Sequence, residues 1–224
     1  MKGFVWAKEL NGHKNPIVRK MTVPDATAIE KGEPIDFSVG TGVIVLADPE
    51  DFDDPIAAVS MQEKAASDGV TDIEVSYSPT AVYKYSATKD YTLTGGSTTT
   101  AVDSSLQPQT DNFWKGGAIR IVSCAADSSL NGRIVKISAS TGVSGTLTLE
   151  ETLPVALASG DTINIVPGSL AEGYFGYDLT SDSMHIDYDA IGGETLQILY
   201  TNPSTMEVFV RFRLHKYAQH CLAL

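Results

Sequence analysis

Apolar and polar residues alternate with a period of two along most of the chain, and a helical period is nearly absent. Short runs of β-branched and aromatic residues are separated by Gly, Pro, Asn and Asp. Those between residues 116 and 168 follow at intervals of about 8–15 residues, which is typical of a small all-β barrel or sandwich. Ser78 and Pro79 separate the first two runs as a hairpin connection would. The runs lie at 70–77, 81–87, 116–125, 132–140, 145–152, 161–168, 184–190, 194–201 and 205–217.

The run at 205–217 is the longest alternating stretch in the chain. One parity carries apolar residues, namely Val208, Val210, Phe212 and Leu214. The other parity is mostly charged and carries Glu207, Phe209, Arg211, Arg213 and His215. Successive side chains of a strand point to opposite faces, so this pattern predicts one buried face and one polar face.

Two segments favour short helices. The first is 54–69, in which Met61 to Ala66 could form one or two turns before Gly69. The second is 169–177. Neither sustains a period of 3.6, so the expected fold is mainly β with one or two short helices.

The middle of the chain changes in composition. Residues 88–112 are rich in Thr, Ser, Gly and Gln and predict a linker or exposed loop. We therefore expect an extended N-terminal arm at 1–20, a β domain at 21–88 completed by 169–224, and an inserted β domain at 89–168 that begins with this Thr/Ser/Gly-rich lead-in.

The net charge of −12 is unevenly distributed. Residues 1–20 carry +4 and residues 211–224 carry +3, which leaves −19 for the 190 residues between them. An acidic body repels phosphate, so we expect no nucleic-acid binding by the main surface. The basic ends favour docking to a partner, and terminal charges that are simply solvated remain the alternative.

No apolar run reaches the length of a membrane span, and charges interrupt the N-terminus before a signal peptide could form. We therefore expect a soluble protein without a membrane partner that is not exported by its own signal. The two cysteines have no metal-type spacing, and Cys124 is expected to be a small buried residue. The state of Cys221 stays open.

Two groups of residues could hold a metal ion. Five carboxylates crowd into residues 48–54, but the segment lacks the glycine and glutamate of an EF-hand loop and favours a solvated turn. His185, Asp187 and Asp189 share one strand face, as they also would on a half-exposed strand with Met184, Ile186 and Tyr188 inward. We expect no metal and no cofactor.

Catalytic motifs are missing from the sequence. Gly142 to Gly145 is one residue short of a GxSxG nucleophile elbow, and no Walker loop, GxGxxG or HExxH occurs. The sequence therefore predicts a protein that is not an enzyme.

Phe4 and Trp6 are large apolar residues in the basic N-terminal segment. An exposed Trp normally needs a partner, so these residues either contact another protein or pack on the chain's own body, and both interpretations remain open. A carbohydrate-binding module is a further alternative, in which the stacking platforms would be Trp6, Trp114, Tyr174 or Tyr177.

Residues 31–75 show an ordered series of features. Lys31-Gly32-Glu33-Pro34-Ile35 enters a strand, glycines follow at 40 and 42, and Val43 to Ala47 is apolar. Asp54-Pro55-Ile56-Ala57-Ala58-Val59 and a short helix then precede Gly69-Val70. This order resembles the β-tulip-type domain of the head decoration, or capsid cement, proteins of tailed bacteriophages, although Ala57-Ala58 stands where that family often has a glycine. The resemblance covers about a fifth of the chain.

The resemblance implies a structural virion protein that binds the outside of a phage capsid and stabilises it by bridging capsomers. Its partners would be the major capsid protein and further copies of itself in a homotrimer, and it would be assembled in the host bacterial cytoplasm. The capsid-binding arm would use Lys2, Phe4, Trp6, Lys8, Lys14, Arg19 and Lys20. Oligomer or capsid contacts would include Arg211, Arg213 and Lys216. The main alternative is another virion component of the tail, neck or adhesion type.

Overall fold

The structure is almost entirely β. The computed structural model describes residues 3–37, 44–46, 58–78, 80–106, 110–168, 174–180, 183–188 and 196–212. Curled antiparallel strands form three sheets, and the two helices in these ranges are single 3₁₀ turns, Ser104–Leu106 and Ser128–Leu130. The prediction of an all-β fold is confirmed. Within the same ranges, no helix has the length and apolarity needed to cross a membrane.

A six-stranded sheet joins the two ends of the chain. Its strands, in spatial order, are β1 (Val5–Glu9), β7 (Ala81–Ser86), β18 (Glu207–Phe212), β17 (Leu196–Asn202), β15 (Tyr174–Thr180) and β16 (Ser183–Asp187). All neighbouring strands are antiparallel. Only β7 separates β1 from β18, so the N-terminal strand and the first residues of the C-terminal basic segment, Arg211 and Phe212, lie in the same part of the sheet.

A seven-stranded sheet is built from consecutive residues in the middle of the chain. Its spatial order is β8 (Tyr91–Thr92), β14 (Thr162–Val166), β11 (Ala118–Ser123), β12 (Ile134–Thr141), β13 (Thr146–Leu149), β10 (Thr100–Val102) and β9 (Gly95–Gly96). The division of the chain into a domain at 21–88 with 169–224 and an inserted domain at 89–168 stays a prediction.

The prediction of a linker or exposed loop at 88–112 is wrong. Strands β8, β9 and β10 lie in this segment, and most of its apolar residues are buried, namely Tyr91, Leu93, Ala101 and Leu106, while Val102 is partly exposed. Threonine is enriched in β-strands because it fits a pleated, half-buried surface, so a Thr-rich segment can join a sheet with few large apolar residues. The composition of the segment therefore does not reveal its three strands.

A five-stranded sheet completes the fold, in the order β2 (Val18–Thr22), β6 (Asp72–Ser76), β5 (Ala58–Ser60), β3 (Pro34–Phe37) and β4 (Ile44–Leu46). It has a small core of its own, formed by Met21, Val23, Ile29, Ile35, Ala58, Ile73 and Val75. The other two sheets share one larger core, which includes ring contacts between Trp114 and Tyr188 and between Phe113 and Phe175.

Three local predictions are wrong. The runs at 70–77 and 81–87 form β6 and β7, but these strands lie in different sheets and do not form a hairpin. Residues 61–66 form bends and a β-bridge between Ile29 and Lys64 in place of a helix. Residues 174–177 belong to strand β15, while 169–173 lie outside the described residues.

The alternation at 205–217 is confirmed as far as the described part of the strand extends. Val208, Val210 and Phe212 are buried, whereas Glu207, Phe209 and Arg211 are partly exposed. Residues 213–217 lie outside the described ranges.

Candidate partner-binding surface

The N-terminal segment is folded into two sheets and is not a detached arm. Residues 5–9 form β1 at one edge of the six-stranded sheet, and residues 18–22 form β2 at one edge of the five-stranded sheet. The expectation of an extended arm at 1–20 is therefore wrong for residues 3–20. The segment has no regular alternation that would predict its two short edge strands. Their partners, β7 and β6, lie more than 50 residues away in sequence.

Phe4 is an internal residue of the fold. Its side chain is only 2% exposed. Its ring centroid lies 5.2 Å from that of Phe212 and 5.3 Å from that of Tyr85, and Tyr83 and Tyr177 complete the pocket. Of the two interpretations left open by the sequence, packing on the chain's own body holds for Phe4, which is not available to anchor a partner in this conformation.

Trp6 is half-buried against the same core and is held by a buried carboxylate. Its Nε1 donates a hydrogen bond to Oε1 of Glu9 at 3.2 Å. The other oxygen of Glu9 accepts hydrogen bonds from Ser78 Oγ at 2.7 Å and Thr80 Oγ1 at 2.8 Å. This network satisfies the buried carboxylate and fixes β1 to the start of β7.

The basic side chains of the N-terminal segment, unlike Phe4, are exposed. Lys8 lies on β1, Lys14 in the connection that follows, and Arg19 and Lys20 on β2. Lys20 is directly opposite Glu74 in the register of β2 and β6. Lys2 lies outside the described residues. The folded segment therefore still presents cations to solvent, although it does so from a rigid scaffold.

The C-terminal candidates are only partly described. Arg211 donates a hydrogen bond from Nε to Oε1 of Gln197 on the neighbouring strand at 2.5 Å. Arg213 and Lys216 lie outside the part of the chain that the structure describes. Because Gln197 is neutral, this contact leaves the charge of Arg211 uncompensated by its cross-strand neighbour.

One side of the six-stranded sheet gathers cations and aromatic rings, and we call it the outer face. Directly opposite residues project to the same side of a sheet, and the register aligns Val5 with Lys84, Lys84 with Phe209, and Phe209 with Tyr200. The described side chains of the outer face include Val5, Lys8, Lys84, Tyr200, Glu207, Phe209 and Arg211.

The aromatic centre of the outer face is a stacked pair. The rings of Tyr200 and Phe209 are 4.2 Å apart and inclined by 15°, and the Lys8 ammonium lies 5.2 Å from the centre of the Tyr200 ring. Tyr200 is 37% exposed. The sequence analysis did not identify Tyr200, although the position of Phe209 among the charged residues of its strand was a signal that a large apolar group faces solvent.

Lys84 pairs with a carboxylate of the outer face. Its Nζ lies 2.9 Å from Oε1 of Glu207. Hydrogen bonds from Lys84 and then from Thr205 lower the pKa of Glu207 below its ordinary value of 4.5. Glu207 therefore offsets the charge of Lys84 on the outer face.

The metal-binding candidates of the sequence lie outside what the structure describes. The acidic run at 48–54 and Asp189 lie outside the described ranges, as do the side chains of His185 and Asp187. Ile186 and Tyr188 are buried, as expected for a half-exposed strand. Across the residues that are described, no three His, Cys, Asp or Glu side chains are placed to hold a metal ion.

Two of the four proposed sugar-stacking platforms are unavailable, whereas Trp6 is half-buried. Trp114 is 2% and Tyr177 is 5% exposed, so neither ring can stack on a sugar, and this part of the carbohydrate-binding alternative is wrong. The side chain of Tyr174 is not described. Cys124 is a buried free thiol just after β11, as predicted.

Lys64 is a buried cation that sequence reasoning missed. Its side chain has no exposed surface, and Nζ donates hydrogen bonds to the carbonyl oxygens of Asp25 at 2.7 Å, Thr27 at 3.2 Å and Ala65 at 2.9 Å. Oδ1 of Asp68 lies 3.2 Å away. These contacts hold the 24–29 and 61–70 segments together, so Lys64 has a structural role and does not belong to a partner-binding surface.

Comparison of the chain with protein-family models, with curated proteins and with solved structures found no match. Function must therefore be inferred from the chain's own residues.

Proposed function

We propose that this protein is a structural, non-enzymatic component of a phage virion that binds the outer surface of the capsid and stabilises it by bridging capsomers. The ordered features at 31–75, which resemble capsid cement proteins, support this proposal. Where they are described, these residues form four strands of one sheet, β3 to β6. The helix that the resemblance implies is replaced at 61–66 by bends.

The observation that carries the capsid contact is the exposure of Lys14 and Arg19 on an otherwise acidic chain. Both residues belong to the N-terminal segment that the resemblance assigns to capsid binding. Because Phe4 is buried, we propose that the folded segment docks through its cations, and that no free arm is laid over the shell. A pre-ordered segment would lose less conformational entropy on binding than a disordered arm.

The test is co-sedimentation of the purified protein with expanded, undecorated heads. The double variant K14E/R19E should bind heads about ten-fold or more weakly, because like charges replace attractive ones at the interface. The matched control is K115E/K136E, which reverses two exposed lysines on the middle part of the chain and should bind as the wild type does.

Substitution is preferable to deletion here. Removing residues 1–20 would remove β1, most of β2 and the buried Phe4, so loss of binding by such a variant would also follow from loss of the fold. Equal binding by K14E/R19E and the wild type would contradict the proposed contact. Failure of the wild type to bind heads would contradict the function itself and favour another virion component.

A further inference from the structure

We propose that Asn11 and Gly12 form a self-modification site in the turn that follows β1. The backbone nitrogen of Gly12 attacks Cγ of Asn11 and displaces ammonia, and hydrolysis of the resulting ring leaves an aspartate or an isoaspartate at position 11. The reaction is a property of the folded chain and is measured without capsids. It goes beyond the proposed function, and either can fail while the other stands.

This chemistry is favoured where glycine follows asparagine. The chain has six asparagines, and two of them, Asn11 and Asn131, precede glycine. Glycine has no Cβ to shield its nitrogen, and its backbone reaches conformations that other residues rarely adopt. Asn15 and Asn202 precede proline, whose nitrogen has no proton to lose. The structure distinguishes between the two Asn-Gly pairs.

The turn at Asn11 leaves the reacting groups accessible. Asn11 and Gly12 are both exposed, and no atom lies within 4 Å of the position that a Gly12 Cβ would take. The Gly12 amide donates to the carbonyl oxygen of Glu9 at 3.4 Å, longer than the roughly 2.7–3.2 Å of ordinary N–H···O hydrogen bonds. The attacking nitrogen is therefore only weakly held.

The Asn11 side chain is positioned for this attack. Its Oδ1 accepts a hydrogen bond from the backbone amide of His13 at 3.1 Å. The ring closed by this bond contains both Cγ of Asn11 and the nitrogen of Gly12, so the two reacting atoms are held within one turn. Negative charge develops on Oδ1 during the attack, and the His13 amide stabilises that charge.

Asn131 is the comparison within the same molecule. Its Oδ1 accepts a hydrogen bond from the Cys124 amide at 2.9 Å, and the Gly132 amide donates to the carbonyl oxygen of Ile121 at 2.7 Å. Both partners lie in or just after β11, so both bonds must break before the Gly132 nitrogen can reach Cγ of Asn131. The fold therefore protects Asn131 and leaves Asn11 open to the reaction.

The reaction needs no oxidant or reductant. The Gly12 nitrogen loses its proton to solvent and bonds to Cγ of Asn11, while Nδ2 takes up a proton and leaves as ammonia. Water then opens the resulting ring at one of its carbonyl carbons. Opening at Cγ gives aspartate, and opening at the backbone carbonyl carbon gives isoaspartate, in which the main chain runs through Cγ.

The product changes the charge of the basic N-terminal segment. The new carboxylate lowers the net charge of residues 1–20 from +4 to +3, close in sequence to the exposed Lys14. Because the proposed capsid contact uses Lys14, each converted molecule should bind heads more weakly. This consequence rests on the proposed function, whereas the modification itself does not.

The experiment is peptide mapping by mass spectrometry after incubation of the native full chain at neutral pH. Conversion replaces an amide NH2 by OH and changes the mass of the peptide, and chromatography separates isoaspartate from aspartate. Asn11 should convert about ten-fold or more faster than Asn131, because two hydrogen bonds must first break at Asn131. In concentrated urea, where the fold is lost, the two asparagines should convert at similar rates.

Gly12→Ala is the matched variant for the attacking nitrogen. The added Cβ meets no atom of the fold, but it shields that nitrogen from Asn11. Conversion at position 11 should be about ten-fold or more slower than in the wild type, because the freedom of glycine is lost. Conversion at Asn131 should be unchanged. An unchanged rate at Asn11 would contradict attack by the Gly12 nitrogen.

Two results with the wild type would also overturn the site. If Asn11 stays intact in the native protein but converts in urea, the fold protects Asn11. If Asn131 converts as fast as Asn11 in the native protein, the hydrogen bonds of the two turns do not decide which asparagine reacts.

Binding to heads tests the consequence separately. Asn11→Asp should bind heads about two- to five-fold more weakly than the wild type, the effect of one exposed charge. Val143→Asp makes the same charge change at a position that is 87% exposed and should bind as the wild type does. Equal binding by Asn11→Asp and the wild type would overturn the consequence. A wild type that converts at Asn11 but binds no heads contradicts the proposed function alone.

Discussion

The backbone amide of Phe4 donates a hydrogen bond to the carbonyl oxygen of Gly32 at 2.9 Å. Gly32 in turn donates its own amide to the carbonyl oxygen of Ser60 in β5 at 2.8 Å. The start of the six-stranded sheet is thereby joined to the five-stranded sheet through one glycine. The N-terminal segment is consequently part of the scaffold, and any partner that it binds meets a preformed surface.

Gly32 allows this junction because it lacks a side chain. A Cβ at this position would lie 2.7 Å from the carbonyl oxygen and 2.9 Å from the nitrogen of Phe4, and φ is +88°. Gly32→Ala should therefore lower the free energy of unfolding by about 2–4 kcal/mol, from backbone strain and the displacement of β1. Urea unfolding measures this change.

Gly12→Ala is the matched control for this substitution. Gly12 has a similar φ of +85°, but no atom lies within 4 Å of the Cβ position. Its cost should be the strain alone, about 1 kcal/mol. Equal losses in the two variants would show that the approach of Phe4 to Gly32 contributes nothing.

Replacing Phe4 measures how firmly the N-terminal segment is held. Phe4→Ala should lower the free energy of unfolding by about 3–5 kcal/mol, because a cavity would remain among the surrounding aromatic rings. Val5→Ala, at the adjacent exposed position, should cost less than about 1 kcal/mol. A Phe4→Ala variant as stable as the wild type in urea would mean that the segment is detached in solution.

Lys64 should be among the most sensitive lysines of the described structure. Lys64→Met removes the donor shared by three carbonyl oxygens and should cost about 2–4 kcal/mol. Lys136→Met, at an exposed position of β12, should change the free energy of unfolding by less than about 0.5 kcal/mol. Similar urea midpoints for the two variants would contradict a structural role for Lys64.

The Asp68 carboxyl should make stability depend on pH. A hydrogen bond from the Val70 amide, together with Lys64 and the Ala65 amide, lowers the pKa of Asp68 below its ordinary 3.8. A lowered pKa stabilises the fold above the unfolded value, and this contribution is lost as the pH falls through the folded value. The stability difference between wild type and Asp68→Asn should therefore shrink as the pH falls below 3.8.

Glu33 provides a control of opposite sign. Burial raises its pKa above the ordinary 4.5, so ionising it opposes folding. Glu33→Gln should be more stable than wild type at neutral pH, and its advantage should disappear below pH 4.5. Urea unfolding of the wild type and both variants over a range of pH measures these differences. If Asp68→Asn and Glu33→Gln differed from the wild type in stability with the same sign at neutral pH, the two pKa assignments would be contradicted.

Several strands, namely β6, β7, β11 to β14 and β16 to β18, could be predicted because alternation is a local property, whereas β1, β2 and β8 to β10 could not. The pairing of strands could not, since β6 and β7 follow each other in sequence yet pair with β2 and β5, and with β1 and β18. The expected helix at 61–66 does not form. Lys64 instead donates hydrogen bonds to the carbonyl oxygens of residues 25 and 27, a tertiary interaction that overrides local helix propensity. Local propensity carries no information on such a partner.

The candidate surface, like the strand pairing, could not be predicted from local sequence. Charge counting identified Lys8 and Arg211 as members of two basic ends, but not that one sheet places them on the same face. For Phe4 the sequence leaves partner contact and internal packing open, because the residues of its pocket, among them Tyr83 and Phe212, are distant in sequence. The stacked rings of Tyr200 and Phe209 depend on a cross-strand register that no local pattern reveals.

The measurement that tests the central claim most directly is cryo-electron microscopy of undecorated heads before and after incubation with this protein. Binding to the outside of the shell predicts additional density on the exterior, repeated with the icosahedral symmetry of the capsid. Density confined to one vertex or to the tail, or no additional density at saturating protein, would contradict it.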